Sequence, residues 1–378
     1  MTKKVFFFTG KIGGYYALKP FLDKVKTLCN LKIIAADQHN SKLFGNSYKK
    51  LIRDFGFKQV IRINLNQKND SVRSRMFAFS NLIKKFSNLV HKEKPDMLIV
   101  YGDRGETLLA SFIGVNYSLP ILHFQGGDLS GNIDEIFRHS ITKLSNFHFS
   151  SNSISKRRII SLGENPKNVF NHGDNHLDRI EMVKKFNLDD LSIKTNLNKK
   201  FLKNYVIMHY HPETYNLSNE FKNTKTIIQT LIKSNYNIIC IYPCNDQGHK
   251  LIIEYINLAK KNYSDKINIF KHIDSDIYIN LIKGCKFFIG NSSTGIIETP
   301  FLKKWSINIG LRQKSRLKSK LTLDANPSQS SILKQIKYIE NNKPKKNNLY
   351  GNAKSYVKNY NVFKKLIKKK NYLKDFYG

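Results

Sequence analysis

Short apolar runs recur along the chain, continuous rather than alternating, and each is followed by a turn signal and a helix-length segment. In the first half these runs are KVFFFTG (4–10), LKIIAAD (31–37), VIRINL (60–65), DMLIVYGD (96–103), PILHFQGG (120–127) and FHFSS (147–151). In the second half they are YVIMHYHP (205–212), NIICIYP (237–243), INIFKHI (267–273), CKFFIGNSS (285–293) and WSINIG (305–310). A strand that is apolar on both sides of its pleat is covered on both faces, so the pattern predicts parallel sheets clad in helices. Two such series, separated by the polar stretch NLDDLSIKTNLNKK (187–200), predict an α/β protein. Its two Rossmann-like, doubly wound domains, 1–190 and 200–345, face a cleft.

Sheets of this kind bind ligands beyond the carboxyl ends of their strands. The residues that follow the strands are TGKIGG, GDRGE, HFQGGD, HYHPET, YPCNDQG, GNSSTG and NIGLRQ, rich in Gly, Asp, His, Ser and Arg. The helix-to-strand connections are ordinary Lys/Asn loops. The richest segment is ILHFQGGDLSGNIDEIFRHSITK (121–143), which puts His123, Gln125, Asp128, Asp134, Glu135, Arg138, His139 and Lys143 directly behind an apolar strand. It reads as a catalytic rim.

In GNSSTGIIE (290–298), small residues with exposed N–H groups open a helix, an arrangement that holds phosphate with help from the Ser292 and Ser293 hydroxyls. The same letters also describe a plain Ser/Thr helix cap. Glu298, one to two turns on, is within reach of a ribose hydroxyl. Arg312 and Arg316 in NIGLRQKSR (308–316) lie on the same rim and suit a diphosphate. Asp103 and Glu106 in GDRGET (102–107) stand at a strand end, as helix cap or general base. His209 and His211 alternate in HYHPET (209–214), so one faces the cleft and the other the sheet. HGDNH (172–176) has two histidines but no strong third ligand and reads as a loop, so no metal is expected. TGKIGG (9–14) is neither a dinucleotide nor a P-loop fingerprint.

Composition changes the picture little. Lys+Arg total 64 against 28 Asp+Glu, a formal charge of +36, which would favour anionic partners. The lysines are spread along the whole chain, densest in the C-terminal run 341–378, and accompanied by abundant Asn and Ile, the signature of an AT-biased coding sequence. No nucleic-acid module accompanies them, so no nucleic-acid partner is expected. Cys29, Cys240, Cys244 and Cys285 are scattered, and Cys29, Cys240 and Cys285, in or beside apolar runs, read as reduced core residues. The opening MTKKVFFFTGK has too short an apolar run for a signal peptide, and Asn116 and Pro120 interrupt the apolar stretch 108–124. These features predict a cytoplasmic protein with no transmembrane segment.

Taken together, TG…Y..LKP (9–20), FG (44–45), GDRGE, H..GGD.SG.IDE..RH.ITKLS..HF (123–149), LGE.P..VF..GD…D (162–178), HPET, P.NDQG, SDIYINLIKGCKFFIGNSSTGIIE and IG.RQ..R resemble the UDP-N-acetylglucosamine 2-epimerases, and specifically the hydrolysing type of sialic-acid pathways. The resemblance implies a glycosyltransferase-B-like pair of Rossmann domains, with a C-terminal helix at about 352–378 packed back on the first. It implies a homo-oligomer, dimer or tetramer, and a UDP-sugar as substrate, with no cofactor. UDP would leave a UDP-HexNAc by anti-elimination, and water would add to the resulting 2-acetamidoglycal. On that reading Asp103, Asp128, Glu135 and His211 are candidates for the proton work, with Arg138 beside them. Lys11, His123, Gln125, His139, Glu213, Ser292, Ser293, Thr294, Glu298, Arg312 and Arg316 are candidates for holding substrate.

Two positions depart from the family pattern. The opening T-G-T-R-[AS]-[DE] is here Thr9-Gly10-Lys11-Ile12-Gly13-Gly14, so an arginine is missing and Lys11 offers the substitute charge. The Glu or His ahead of the Gly-Gly pair is Gln125, which orients a group but carries no proton, and the Glu after the pair is the shorter Asp128. An altered UDP-HexNAc substrate, a nucleotide-sugar-binding protein without turnover, and a UDP-sugar glycosyltransferase on the same fold are the alternatives.

Overall fold

The computed structural model describes residues 2–41, 46–69, 71–131, 133–213, 217–369, 372 and 374–377. The FG motif at 44–45 and Thr214 of the HPET motif lie outside the described residues. The first seven strands are β1 (Lys4–Thr9), β2 (Asn30–Ala35), β3 (Val60–Arg62), β4 (Met97–Tyr101), β5 (Ile121–Phe124), β6 (Phe147–Ser150) and β7 (Val169–Asn171). They form one parallel sheet in the order β3-β2-β1-β4-β5-β6-β7. The next six are β8 (Tyr205–His209), β9 (Asn237–Ile241), β10 (Ile267–Phe270), β11 (Phe288–Gly290), β12 (Ser306–Ile309) and β13 (Thr322–Ala325), in a second parallel sheet ordered β10-β9-β8-β11-β12-β13. Two α/β units result, one of residues 1–129, 133–181 and 350–378, the other of 130–132 and 182–349. The polar stretch 187–200 folds as two short helices, Leu188–Thr195 and the start of Lys199–Lys203, in the second unit.

The period of two along each strand explains the continuous apolar runs. In β1, Val5 and Phe7 face one layer with Ile33, Ile99 and Leu122, covered by the helix Ile12–Val25. Phe6 and Phe8 face the other with Leu98 and Val100, covered by Leu82 and Phe86 of the helix Val72–Glu93. Both faces are buried, so both phases of the strand must be apolar. In the second unit, Val206 and Met208 share a cluster with Ile238 and Ile307, while Ile207 joins Ile239, Phe288 and Leu281 on the opposite face.

The helix Ser355–Leu366 completes the first unit. Its Phe363 meets Phe21 edge-on at 5.6 Å between ring centroids, a burial of about 1.5–3 kcal/mol for such a side chain. The buried Asp178 holds its start, accepting from Ser355 N at 2.8 Å and Tyr356 N at 2.9 Å. A carboxylate there satisfies backbone donors that have no partner within the helix. Among the described residues, no helix is long and apolar enough to cross a membrane.

Candidate functional site

In the first unit the ends of β1 and β4 wall a small pocket that includes Gly10, Lys11, Tyr101, Asp103 and Arg104. Lys11 precedes the helix Ile12–Val25 and makes no side-chain cap bond. Gly10 must be glycine, because a Cβ there would run into the carboxylate of Glu106. Glu106 is fully buried and bonds Arg104 Nε at 2.7 Å and Arg75 Nη2 at 3.0 Å, while Arg75 Nη1 reaches Asp37 at 2.9 Å. Two guanidiniums and two carboxylates thus fix the floor beneath the loop. Buried charges are tolerated only in such paired sets.

Asp103 pairs with Arg138 of the helix Asp134–Leu144. Arg138 is 1% exposed, and its other terminal nitrogen donates to Asp128 O at 2.9 Å. Asp128 itself is buried, its Oδ1 accepting from Ser151 Oγ at 2.9 Å, Asn152 Nδ2 at 3.2 Å and the Ser155 hydroxyl. These contacts give Asp128 the task of holding the turn to the start of the helix Ser153–Ser161. Glu135 stands in the first turn of the Asp134–Leu144 helix. His139 follows on the same helix, half-buried, its imidazole pulled below the ordinary value by burial and by Arg138.

His123 was read as a candidate for holding substrate. It is fully buried, with Nε2 bonded to Gly102 O at 2.8 Å and Nδ1 near Thr142 Oγ1 at 3.4 Å. Burial pushes its pKa down to about 3, so the ring is neutral. Its place is to fix the Gly102–Asp103 turn from beneath.

Gln125 sits in the left-handed region at φ 63°, a conformation rare outside glycine. Its Nε2 donates to Asp174 Oδ2 at 2.8 Å. Asp174 Oδ1 faces His176 Nδ1 at 2.8 Å, and that nitrogen is 3.1 Å from the Tyr101 hydroxyl. Burial alone would raise the Asp174 carboxyl, but His176 and Gln125 hold it below the usual range. Sequence reasoning set HGDNH aside as a loop. The signal was there in one respect: a second pair of acid and imidazole follows a strand end, but the strand is only three residues long.

The second unit assembles its own rim. Asn291, fully buried, accepts at Oδ1 from His211 N at 2.7 Å and donates Nδ2 to His211 O at 2.9 Å. Its own carbonyl accepts from Arg312 Nη1 at 3.1 Å and Gln313 Nε2 at 3.0 Å. One asparagine thereby ties together the loops after β8, β11 and β12. Gly290, at φ 137°, has no room for a Cβ against His209 O. Ser292 and Thr294 are buried, and Ser293 precedes the helix Thr294–Phe301 without a side-chain cap bond. Arg312 Nη2 lies 3.8 Å from Asp246, and Arg316 is 9% exposed. Glu298 is buried in the same helix, and with burial it pushes the Tyr278 phenol well above its ordinary value.

Glu213, read as a candidate for holding substrate, accepts at Oε1 from Leu311 N at 2.6 Å, beside Gly310. It shapes the loop that presents Arg312. His211 Nδ1 accepts the backbone N–H of Cys244 at 3.0 Å. A backbone amide only donates, so this ring nitrogen is unprotonated and the neutral ring carries its hydrogen on Nε2. His211 therefore offers a donor, not a base.

The chain matches the family model for UDP-N-acetylglucosamine 2-epimerase over residues 24–364. It is 38% identical to a GDP/UDP-N,N'-diacetylbacillosamine 2-epimerase (hydrolyzing) of Campylobacter jejuni over 299 residues, 78% of this chain and 77% of the relative. It is 29% identical to a UDP-N,N'-diacetylbacillosamine 2-epimerase (hydrolyzing) of Legionella pneumophila, with 96% of each chain covered. A crystal structure of Methanocaldococcus jannaschii UDP-GlcNAc 2-epimerase, in complex with UDP-GlcNAc and UDP, superposes with a TM-score of 0.78. The match covers 97% of this chain and all of that one, at 18% identity.

Proposed function

The chain belongs to the UDP-N-acetylglucosamine 2-epimerase family, and from that premise we propose that it is a hydrolysing UDP-HexNAc 2-epimerase acting in nonulosonate or surface polysaccharide synthesis. Its substrate is a UDP-linked hexose with acetamido groups at C2 and C4, as the names of its two relatives suggest. It releases UDP and the free sugar inverted at C2.

The C2 hydrogen is barely acidic until the C1–O bond begins to break, so the departing diphosphate must be stabilised as its charge develops. In the second unit that work falls to the start of the helix Thr294–Phe301, the hydroxyls of Ser292 and Ser293, and the guanidiniums of Arg312 and Arg316. The Nε2–H of His211 is one further donor. In the first unit Asp103 takes the C2 proton, with Arg138 fixing its carboxylate and Lys11 on the same pocket wall. Water then adds at C1 of the glycal, and a proton adds at C2.

The observation that carries this reading is the pairing of Asp103 with the buried Arg138 at a strand end. A carboxylate locked in one orientation is what proton abstraction at a fixed carbon requires. The test is a panel of UDP-HexNAc sugars, including UDP-GlcNAc and the 4-acetamido-4,6-dideoxy derivative, turned over in D2O and followed by NMR. The reading expects UDP and a C2-deuterated free sugar, formed fastest from the diacetamido substrate. Product that stays linked to UDP would defeat the hydrolysing assignment.

A further inference from the structure

Inversion at C2 needs one proton removed from one face of the ring and another delivered to the opposite face. One carboxylate does not serve both without the sugar turning over. Asp103, paired with a guanidinium, suits removal. Gln125 carries no proton, His123 is sealed beneath the turn, and Asp128 is held by three polar side chains. We propose that Tyr101, polarised by His176 and Asp174, is the second proton carrier, delivering hydrogen to C2 during hydration of the glycal. The assignment rests on the epimerase reading above.

Donor and acceptor directions support it. The Asp174 carboxylate only accepts, so the facing His176 Nδ1, 2.8 Å away, carries a hydrogen. Gln125 Nε2 approaches the other carboxylate oxygen from 2.8 Å, and is itself a donor. Nδ1 carries a single hydrogen, drawn first to Asp174; the Tyr101 hydroxyl, 3.1 Å from the same nitrogen, accepts it only as the longer arm of a three-centre bond. That turns the phenol O–H away from the imidazole, on a side chain that walls the pocket with Lys11 and Asp103. When the phenol proton leaves, the negative oxygen competes with Asp174 for the shared N–H, and that stabilises the phenolate. Gln125 is explained by the same geometry: a carboxylate in its place would compete with Asp174 for His176, whereas the amide adds a second donor.

The steps balance. In elimination the C2–H electrons form the C1=C2 bond, the C1–O pair leaves with UDP, and the proton stays on Asp103. In hydration the double bond takes the Tyr101 proton at C2 and water bonds to C1. The surplus water proton restores Tyr101, and the Asp103 proton passes to solvent. The net change is one water consumed and one bond to UDP cleaved.

Tyr101→Phe and His176→Gln separate the two halves. With the UDP-linked diacetamido sugar followed by proton NMR, Y101F is expected to raise the ratio of 2-acetamidoglycal to free sugar by about 100-fold, the usual scale of one general acid. H176Q should show the same split at about 10-fold, and it carries the test alone should Y101F fail to fold. An unchanged ratio in both variants, or UDP release and hydration falling in parallel, overturns the assignment. Absence of UDP release by the unsubstituted protein overturns the underlying reading instead, and this assignment with it.

Discussion

Gln125 donates its side-chain amide to Asp174 at 2.8 Å, across 49 positions of sequence, and this bond joins the loop after β5 to the loop after β7. It gives the glutamine a reason to stand at a position where the family resemblance implies an ionisable group. The amide is a fixed donor to a buried carboxylate that also orients His176.

Restoring the ionisable residue should therefore harm this protein. Gln125→Glu would set two carboxylates within hydrogen-bond distance, and such a pair cannot both ionise. Turnover at neutral pH is expected to fall by about 10-fold or more, with partial recovery near pH 5 as the pair shares a proton. The kcat profile between pH 5 and 8 checks this.

The Asp103–Arg138 pair is expected to separate chemistry from folding. Asp103→Asn should retain UDP binding while UDP release slows by about a hundredfold to ten-thousandfold. Arg138→Ala leaves a buried void and strands its carboxylate partner, and should lower stability by about 3–5 kcal/mol. Paired denaturation and stopped-time UDP assays distinguish the two.

Asn291 links three loops of the nucleotide rim. Asn291→Ala removes two bonds to the His211 backbone and the carbonyl's fixed position beside Arg312. UDP affinity measured by calorimetry should weaken by about 10-fold, as expected for a buried polar network losing one member.

Two buried carboxyls set the acid stability of the first unit in opposite senses. Burial pushes Asp178 up to about 6, against the bonds from Ser355 and Tyr356. Folding therefore takes up a proton there, and the stability it contributes is present below about 4 and lost as pH rises through about 6. Glu164, despite its burial, is held down to about 2 by His148 and Lys374. Its contribution is present above about 4.5 and lost as pH falls through about 2. Asp178→Asn should flatten the fall in unfolding midpoint between pH 4 and 6 and leave the loss below pH 4 in place, as urea titrations at each pH will show.

The sheets were legible where both faces of a strand are buried. β7 and β13 escaped because their letters form no apolar run: VFN is three residues long and ends in Asn171, and TLDA carries Asp324 between Leu323 and Ala325. The strand-end residues that wall the pocket, Lys11 and Asp103, were readable because position after a strand is a sequence property. Contacts across the chain were not. Asn291 meets His211 from 80 positions away, and nothing in the letters of GNSST distinguishes it from a turn residue. The bonds that His123 and Glu213 make within the fold were hidden for the same reason: residue type announces chemistry, while only packing shows which way a side chain is turned.

The central claim is that the bond between C1 and the UDP oxygen breaks and that water supplies the oxygen of the free sugar. Turnover of the UDP-linked diacetamido sugar in oxygen-18 water, with both products weighed by mass spectrometry, tests it most directly. The account predicts the heavy oxygen in the sugar and none in UDP. Heavy oxygen in the nucleotide, or an epimer still joined to unlabelled UDP, would contradict it.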